Sequence, residues 1–266
     1  MKIDLNGKRA LVTGAARGIG QAIAAQLSAN GAHVACADID GEAVRKSAAE
    51  VANTIAVEMD ISDESQVNRG MEQIVDQLGG LDILVNNAGI NTMKHRVNID
   101  QFPLEEWERI LKVDLTGTYL VSKAAIPALA RQDGGRVVNI ASVMGVVPAR
   151  LQCAFTAAKA GVVHLTKTMA IELAEQGILV NCVAPGSTLT DGTKQLFYSD
   201  DAIQKERAER MLSHVPLARA GTVDEIAHTV LFLWPLKAPT PPGKHCVWMV
   251  AGRPVGFFAI FKGRGE

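Results

Sequence analysis

Two stretches carry side chains whose types and spacing could do chemistry. The first is Thr13-Gly14-Ala15-Ala16-Arg17-Gly18-Ile19-Gly20, a G-x-x-x-G-x-G pattern between an apolar run and an Ala-rich helical segment from about Gln21 to Asn30. Glycines let backbone N–H groups come close to an anion, and the following helix offers the positive end of its dipole. Gly14, Arg17, Gly18 and Ile19 therefore read as a cradle for a pyrophosphate. The pattern alone would equally suit a tight strand-to-helix turn; its place after a strand and before a helix is the context that binding requires. The second stretch runs from Ser142 to Lys159 and holds a hydroxyl at a strand end and an ammonium on the helical segment after it. A strand-end serine by itself is an ordinary cap or turn residue.

Those residues need a scaffold, and the chain supplies one in short apolar runs alternating with helical patterns up to about residue 184. Candidate strands are Arg9 to Thr13, His33 to Ala37, Ile55 to Met59, Ile83 to Asn86, Arg136 to Ile140 and Leu179 to Val183. Such alternation predicts βαβ units, hence an α/β, Rossmann-like doubly wound parallel sheet with helices on both faces. In that architecture ligands bind beyond the carboxyl ends of the strands. Asp38 sits there, about twenty residues beyond the glycine turn, where its carboxylate can accept from both hydroxyls of an adenosine ribose and would repel a 2′-phosphate. Arg17 pulls weakly the other way, and Asp38 decides for NAD, with NADP the lesser choice. Asp60, after the third strand, could accept from an adenine amino group or cap the helix that Ser62-Asp63-Glu64-Ser65 begins; Ile61 beside it is grouped with the cofactor-binding residues.

TGAARGIG, Asp38 and Asn86-Asn87-Ala88-Gly89 together resemble the short-chain dehydrogenase/reductase family, and the likeness extends from residue 5 to about 233. That resemblance implies a fuller set of roles. Asn87, Ala88 and Gly89 would line the ribose on the nicotinamide side, and the Pro185-Gly186 turn with Thr188 would meet the carboxamide. Asp114, in Val113-Asp114-Leu115, stands where many members have an Asn that anchors a water in a proton relay. A carboxylate accepts hydrogen bonds as that Asn does but, when ionised, donates none.

In the family, Ser142 would hydrogen-bond the substrate oxygen, Lys159 would bind the nicotinamide ribose, and a Tyr four residues before that Lys would be the general acid or base. This sequence has Phe155 there. The segment Ala157-Ala158-Lys159-Ala160-Gly161 matches the family text, so the departure is real, and Phe has no proton to give. The implied function is NAD(H)-dependent interconversion of a secondary alcohol and a ketone, on a sugar, polyol or cyclic hydroxy compound, impaired at Phe155; the alternative is a catalytically silent NAD-binding or scaffold protein of the same fold. An introduced substitution, a lineage with another proton donor and a silent protein would each account for the Phe. Tyr198, in the stretch that would close over substrate, is a minor substitute donor; Tyr119 reads as packing. His95 reads as a solvent-exposed loop residue. Arg150 and Gln152 suggest a hydroxyl- or carbonyl-rich substrate.

At 266 residues, 48% hydrophobic and 21% charged, the chain suits one well-buried core. Its formal net charge of −1 gives no reason to expect nucleic acid as a partner. No apolar run is long enough to cross a bilayer, so no membrane is expected and the location reads as cytoplasmic. Cys36, Cys153, Cys182 and Cys246 are scattered without ligand spacing, so they read as reduced thiols and no metal is expected. We assign residues 1–233 to one NAD-binding domain, with a substrate lid at about 187–215, including a helical segment from Asp200 to His214. A capping box at Thr222 to Glu225 starts the last helix. From Trp234 to residue 266 the text turns Pro-rich, then apolar and basic, and a final strand is expected at 245–250. A divergent tail and a shifted reading frame would each produce that change. The resemblance implies a homo-oligomer, dimer or tetramer, whose usual interface strand the tail alters.

Overall fold

The computed structural model describes residues 2–91, 95–130, 134–190, 193, 206, 209, 212–213 and 215–234, together with the backbone of 248–249. Six strands lie where apolar runs meet turn residues: β1 (Arg9–Thr13), β2 (His33–Asp38), β3 (Thr54–Glu58), β4 (Ile83–Asn86), β5 (Arg136–Ile140) and β6 (Leu179–Val183). With the short strand Trp248–Met249 they form one sheet in the order β3-β2-β1-β4-β5-β6 and then that strand, every pair parallel. The chain reverses its direction of build between β1 and β4, which opens a crevice at the carboxyl ends of both. The doubly wound parallel sheet expected from the sequence is the one observed.

Because side chains alternate across a strand, neighbouring residues feed opposite cores. Ala10, Val12, Val34, Ile83 and Val85 pack with α1 (Gly18–Ala29), α2 (Gly41–Ala49) and the last described helix, Val223–Phe232. Leu11, Ala35, Leu84, Val137 and Val180 pack with α3 (Glu64–Leu78), α5 (Thr118–Leu129) and α6 (Cys153–Glu172). Burying each large aliphatic side chain is worth about 1.5–3 kcal/mol. Both faces are therefore covered, and no helix among the described residues is long and apolar enough to span a membrane.

Several boundaries differ from the reading of the sequence for physical reasons. β2 runs one residue further, to Asp38, because Asp38 still pairs with Glu58 of β3. The helix after the glycine turn starts at Gly18 rather than near Gln21. The long helix that begins as α4 (Leu104–Leu111) passes through a π-helical turn, Lys112–Gly117, and continues as α5 past Pro127 to Leu129. One missing N–H in the last turn is outweighed by burial of Ala125, Ala128 and Leu129. The capping box forms as expected, with Thr222 accepting from the Glu225 N–H and Glu225 accepting from the Thr222 N–H. The strand expected at 245–250 is seen as Trp248–Met249, paired with Cys182 and Val183. Tyr198, Cys246, most of Asp200 to His214 and the rest of the tail lie outside the described residues.

Candidate active site

The glycine turn is built by close approaches that only a missing Cβ permits. Gly14 has φ +65°, and a Cβ there would lie 2.8 Å from the Cα of Ala88. A Cβ on Gly20 would overlap the Gly14 carbonyl oxygen and come within 2.5 Å of Asn87 Nδ2. This packing presses α1 against the ends of β1 and β4. The residue before α1, Arg17, is extended at φ −161°, and no side chain caps the helix. Its first N–H groups thus face the cleft without a competing carboxylate, which suits an external anion.

Asp38 is aimed by the backbone. Its Oδ2 accepts from the Ala16 N–H at 3.1 Å and its Oδ1 from the Asp40 N–H at 3.1 Å. A carboxylate has lone pairs beyond these two bonds for a pair of hydroxyls. Asp60 lines the same end, where its Oδ1 accepts from the Ser62 N–H at 2.8 Å. The cap of α3 is Asp63, whose side chain accepts from the Gln66 N–H, so capping is done by a neighbour while Asp60 lines the cleft. Ile61 forms part of that wall and packs so tightly on Gly117 that a Cβ there would meet its Cδ1 at 2.7 Å.

From Asp38 a cleft of about 670 Å³ runs past Gly14, Gly18 and Ile19 to Asn87, Gly89 and Thr190. That is in the range of small-molecule sites. Asn87 also locks the turn: its Nδ2 donates to Thr13 O at 2.9 Å and Gly14 O at 3.1 Å, while its N–H donates to Thr13 Oγ1 at 3.0 Å. Thr13 and Thr190 were not anticipated from the sequence. Thr190 faces Gly18 across the cleft, where a Cβ on the glycine would be 3.6 Å from its Cγ2.

Behind Gly89 lies a buried charge pair. The π-helical turn carries Asp114 inward, fully buried; its Oδ1 accepts from the Ile90 N–H at 2.7 Å. Its Oδ2 is 3.1 Å from Lys159 Nζ, an ion pair set off the hydrogen-bonding line. Lys159 Nζ also donates to Ile140 O at 3.3 Å. A Cβ on Gly89 would stand 3.0 Å from Lys159 Nζ and 3.1 Å from Asp114 Oδ2, so the pair lies directly beneath the cleft floor. One turn before Lys159, the Phe155 ring has its centroid 5.7 Å from the ammonium. Ser142 follows β5, and its Oγ accepts from the Met144 N–H at 3.2 Å. The short turn after it packs on α6 through Gly145, where a Cβ would be 2.6 Å from the Lys159 carbonyl carbon.

The Pro185-Gly186 turn lies beside the Ser142 segment and outside the lining of the cleft. Pro185 O accepts from the Val143 N–H at 3.0 Å, tying it to the Ser142 segment, and Thr188 Oγ1 donates to Gly186 O at 3.1 Å. Elsewhere the sequence candidates separate from the cleft. His95 Nδ1 is 3.8 Å from Glu106 Oε1 on α4. Tyr119 is half exposed and Arg150 exposed, whereas Gln152 is buried at the start of α6. Among the described residues no group of three or more His, Cys, Asp or Glu could hold a metal. Burial pushes the Cys36 thiol up to about 12, so it stays protonated.

Comparison with known proteins places this geometry. The short chain dehydrogenase family matches residues 8–201. The chain is 41% identical over 238 residues, 88% of it and 92% of the other, to a 3-oxoacyl-(acyl-carrier-protein) reductase of Aquifex aeolicus. To the Staphylococcus aureus protein of that name it is 39% identical over 231 residues, 85% of this chain and 90% of the other. Levodione reductase superposes with a TM-score of 0.79 at 32% identity, covering 86% of this chain and 90% of that one. NAD+-bound xylitol dehydrogenase gives 0.79 at 30% identity, covering 87% and 93%. A 3-ketoacyl-(acyl-carrier-protein) reductase from Brucella melitensis complexed with NADH gives 0.79 at 31%, covering 86% and 91%.

Proposed function

This chain belongs to the short chain dehydrogenase family, and from that premise we propose that it is an NAD(H)-dependent oxidoreductase interconverting a secondary alcohol and a ketone, with turnover lowered by Phe155. The observation that carries the reading is one cleft with an uncapped helix N-terminus and the Asp38 carboxylate at one end and, behind Gly89, the Lys159 ammonium at the other. The cradle fits a dinucleotide: side chains at Gly14 and Gly20 would fill it, and the amide donors of α1 have no side-chain cap. When bound, the reduced nicotinamide supplies a hydride to the carbonyl carbon, and the oxidised form takes one back. Gly14, Arg17, Gly18 and Ile19 would hold the pyrophosphate, Asp38 the adenosine ribose, and Asp60 and Ile61 the adenine side. Asn87, Ala88, Gly89 and Lys159 would hold the second ribose, with Pro185, Gly186 and Thr188 at the carboxamide. NAD bound to one structural relative and NADH to another support the cofactor.

Ser142 is proposed to donate to the substrate oxygen and keep it beside Phe155. In the family a phenol delivers the proton at this place; a phenyl ring cannot, and losing a positioned acid commonly costs about 10² to 10⁴ in rate. A sugar, polyol or cyclic hydroxy compound is the proposed substrate class; the activities of the relatives, reduction of levodione, dehydrogenation of xylitol and reduction of 3-oxoacyl carriers, span that class and an acyl thioester. Residues 1–233 are proposed to act as one domain, the lid at 187–215 to cover the substrate, and the protein to assemble as a dimer or tetramer.

Phe155 also favours a second reading, a catalytically silent NAD-binding protein. Following NADH against polyols, cyclic ketones and a 3-oxoacyl thioester in the chain and in Phe155→Tyr separates the two. A gain of about 10² or more in the Tyr variant supports a disabled dehydrogenase. Equal activity in both would show that no phenol is needed, and NADH binding without turnover in either supports the silent protein.

A further inference from the structure

The Asp114–Lys159 pair is a charge device the sequence-derived roles do not use. Both side chains are almost wholly withdrawn from water, with 0% and 7% of their surfaces exposed, and they sit 3.1 Å apart. The carboxylate is held by the Ile90 N–H and the ammonium by the Ile140 carbonyl. Whichever partner carries the proton, the pair sums to zero charge. Remove the carboxylate alone and the same place holds a cation; remove the ammonium alone and it holds an anion. The pair lies against Gly89 in the cleft lining, where any Cβ would touch both groups. Other charges lining the cleft are Arg17, Asp38, Asp60, Arg109 and Lys112. Of these, Arg109 is already engaged by Glu106 through two hydrogen bonds at 2.7 and 2.9 Å.

The two redox forms of a nicotinamide differ by one positive charge on the ring. We infer that Asp114, by cancelling the Lys159 charge beneath Gly89, sets the relative affinity of the site for oxidised over reduced dinucleotide, holding the oxidised form more tightly than an uncompensated lysine would. This rests on the cofactor reading above. A unit charge at roughly 10 Å in a medium of effective dielectric about 20 shifts a charge-dependent equilibrium by about tenfold. Asp114 is thus a determinant of redox-state preference in addition to any part in proton transfer, and its effect is legible without turnover.

Dissociation constants for NAD+, NADH and ADP-ribose are measured by calorimetry on the full chain, Asp114→Asn, Lys159→Gln and the double variant. The ratio of the NAD+ to the NADH constant should rise about tenfold in Asp114→Asn at pH 6 and fall about tenfold in Lys159→Gln at pH 8. Each is compared with the unsubstituted chain at the same pH. In the double variant the ratio should return to within about threefold of that chain, because neutrality is restored. Opposite signs in the two single variants cannot come from lost packing, and if Asp114→Asn fails to fold, Lys159→Gln decides alone: a ratio that falls supports the inference and one that is unchanged or rises overturns it. A ratio that stays within about threefold in both single variants, or moves the same way in both, while the dinucleotides still bind, overturns this inference alone. Failure of all three ligands to bind the unsubstituted chain overturns the cofactor reading and this inference with it.

Discussion

Replacing Gly20 by alanine should disable the glycine turn from its second layer, where no ligand is touched. The added methyl would overlap the Gly14 carbonyl oxygen, lie 2.8 Å from the Gly14 carbonyl carbon and 2.5 Å from Asn87 Nδ2. Two of those atoms are backbone, so the strain cannot be relieved by rotating a side chain. Overpacking of this kind costs about 1–3 kcal/mol. Moving Asn87 aside also stretches its bonds to Thr13 O and Gly14 O, each worth about 0.5–1.5 kcal/mol net. The expected total is about 2–6 kcal/mol, read as the change in unfolding free energy in urea. NAD+ affinity should fall with it, because the Gly14 N–H and the start of α1 move together. Gly79→Ala is the control: φ is +75° but nothing lies within 4 Å of a new Cβ, so only the left-handed backbone is penalised, at about 1–2 kcal/mol. A Gly20→Ala chain within about 0.5 kcal/mol of the parent, with NAD+ affinity unchanged, would refute the argument that this close approach builds the site.

Three other consequences can be measured. Asp38→Ala should weaken NAD+ by about tenfold or more, since charge-assisted bonds contribute about 1.5–3 kcal/mol, and should narrow the preference over NADP+; an unchanged preference would remove Asp38 from the ribose. Asn139→Leu should cost about 1–3 kcal/mol in urea unfolding, because Asn139 is fully buried, accepts from Asn86 Nδ2 and donates to Thr166 Oγ1, and each partner would lose one bond while keeping its other, to Ser122 Oγ and Val162 O. Hydrogen bonds from Arg219, and then from the Thr222 backbone, hold Glu225 down at about 2. A depressed carboxyl contributes stability above its unfolded value of about 4.3 that is lost as pH falls through the folded one. The helix Val223–Phe232 should therefore weaken between about pH 4.5 and 2, by about 1 kcal/mol once screening of a half-exposed pair is allowed for. Glu225→Gln should flatten that limb of the acid unfolding curve.

Much of the scaffold was legible because it is written in local chemistry. β1, β4, β5 and β6 begin and end where their apolar runs do, since strands covered on both faces must be apolar throughout. β3 was misplaced by one residue: Met59 is apolar and fully buried, and it extends the run, but the ladder with β2 closes at Glu58. The π-helical turn left no mark on the sequence. Its one extra residue per turn rotates Asp114 inward, and a heptad-scale pattern of Ile110, Leu111 and Leu115 reads the same with or without it. Thr190 was missed because a lone threonine after a strand carries no pattern; it reaches the cleft through the pairing of Thr188–Leu189 with Gly221–Thr222.

By itself the sequence determined the parallel α/β sheet, the glycine turn ahead of its helix, Asp38 at a strand end, and the absence of a phenol at position 155. Each is a property of one residue or of neighbours in the chain, where periodicity and backbone freedom act. The tertiary structure alone decided that Asn87 locks the turn, that Asp63 rather than Asp60 caps α3, and that Asp114 and Lys159 meet under Gly89. Those are meetings between distant segments. They exist because the sheet brings the ends of β1, β4 and β5 to one edge and the packed helices leave a buried carboxylate and a buried ammonium no better partner than each other.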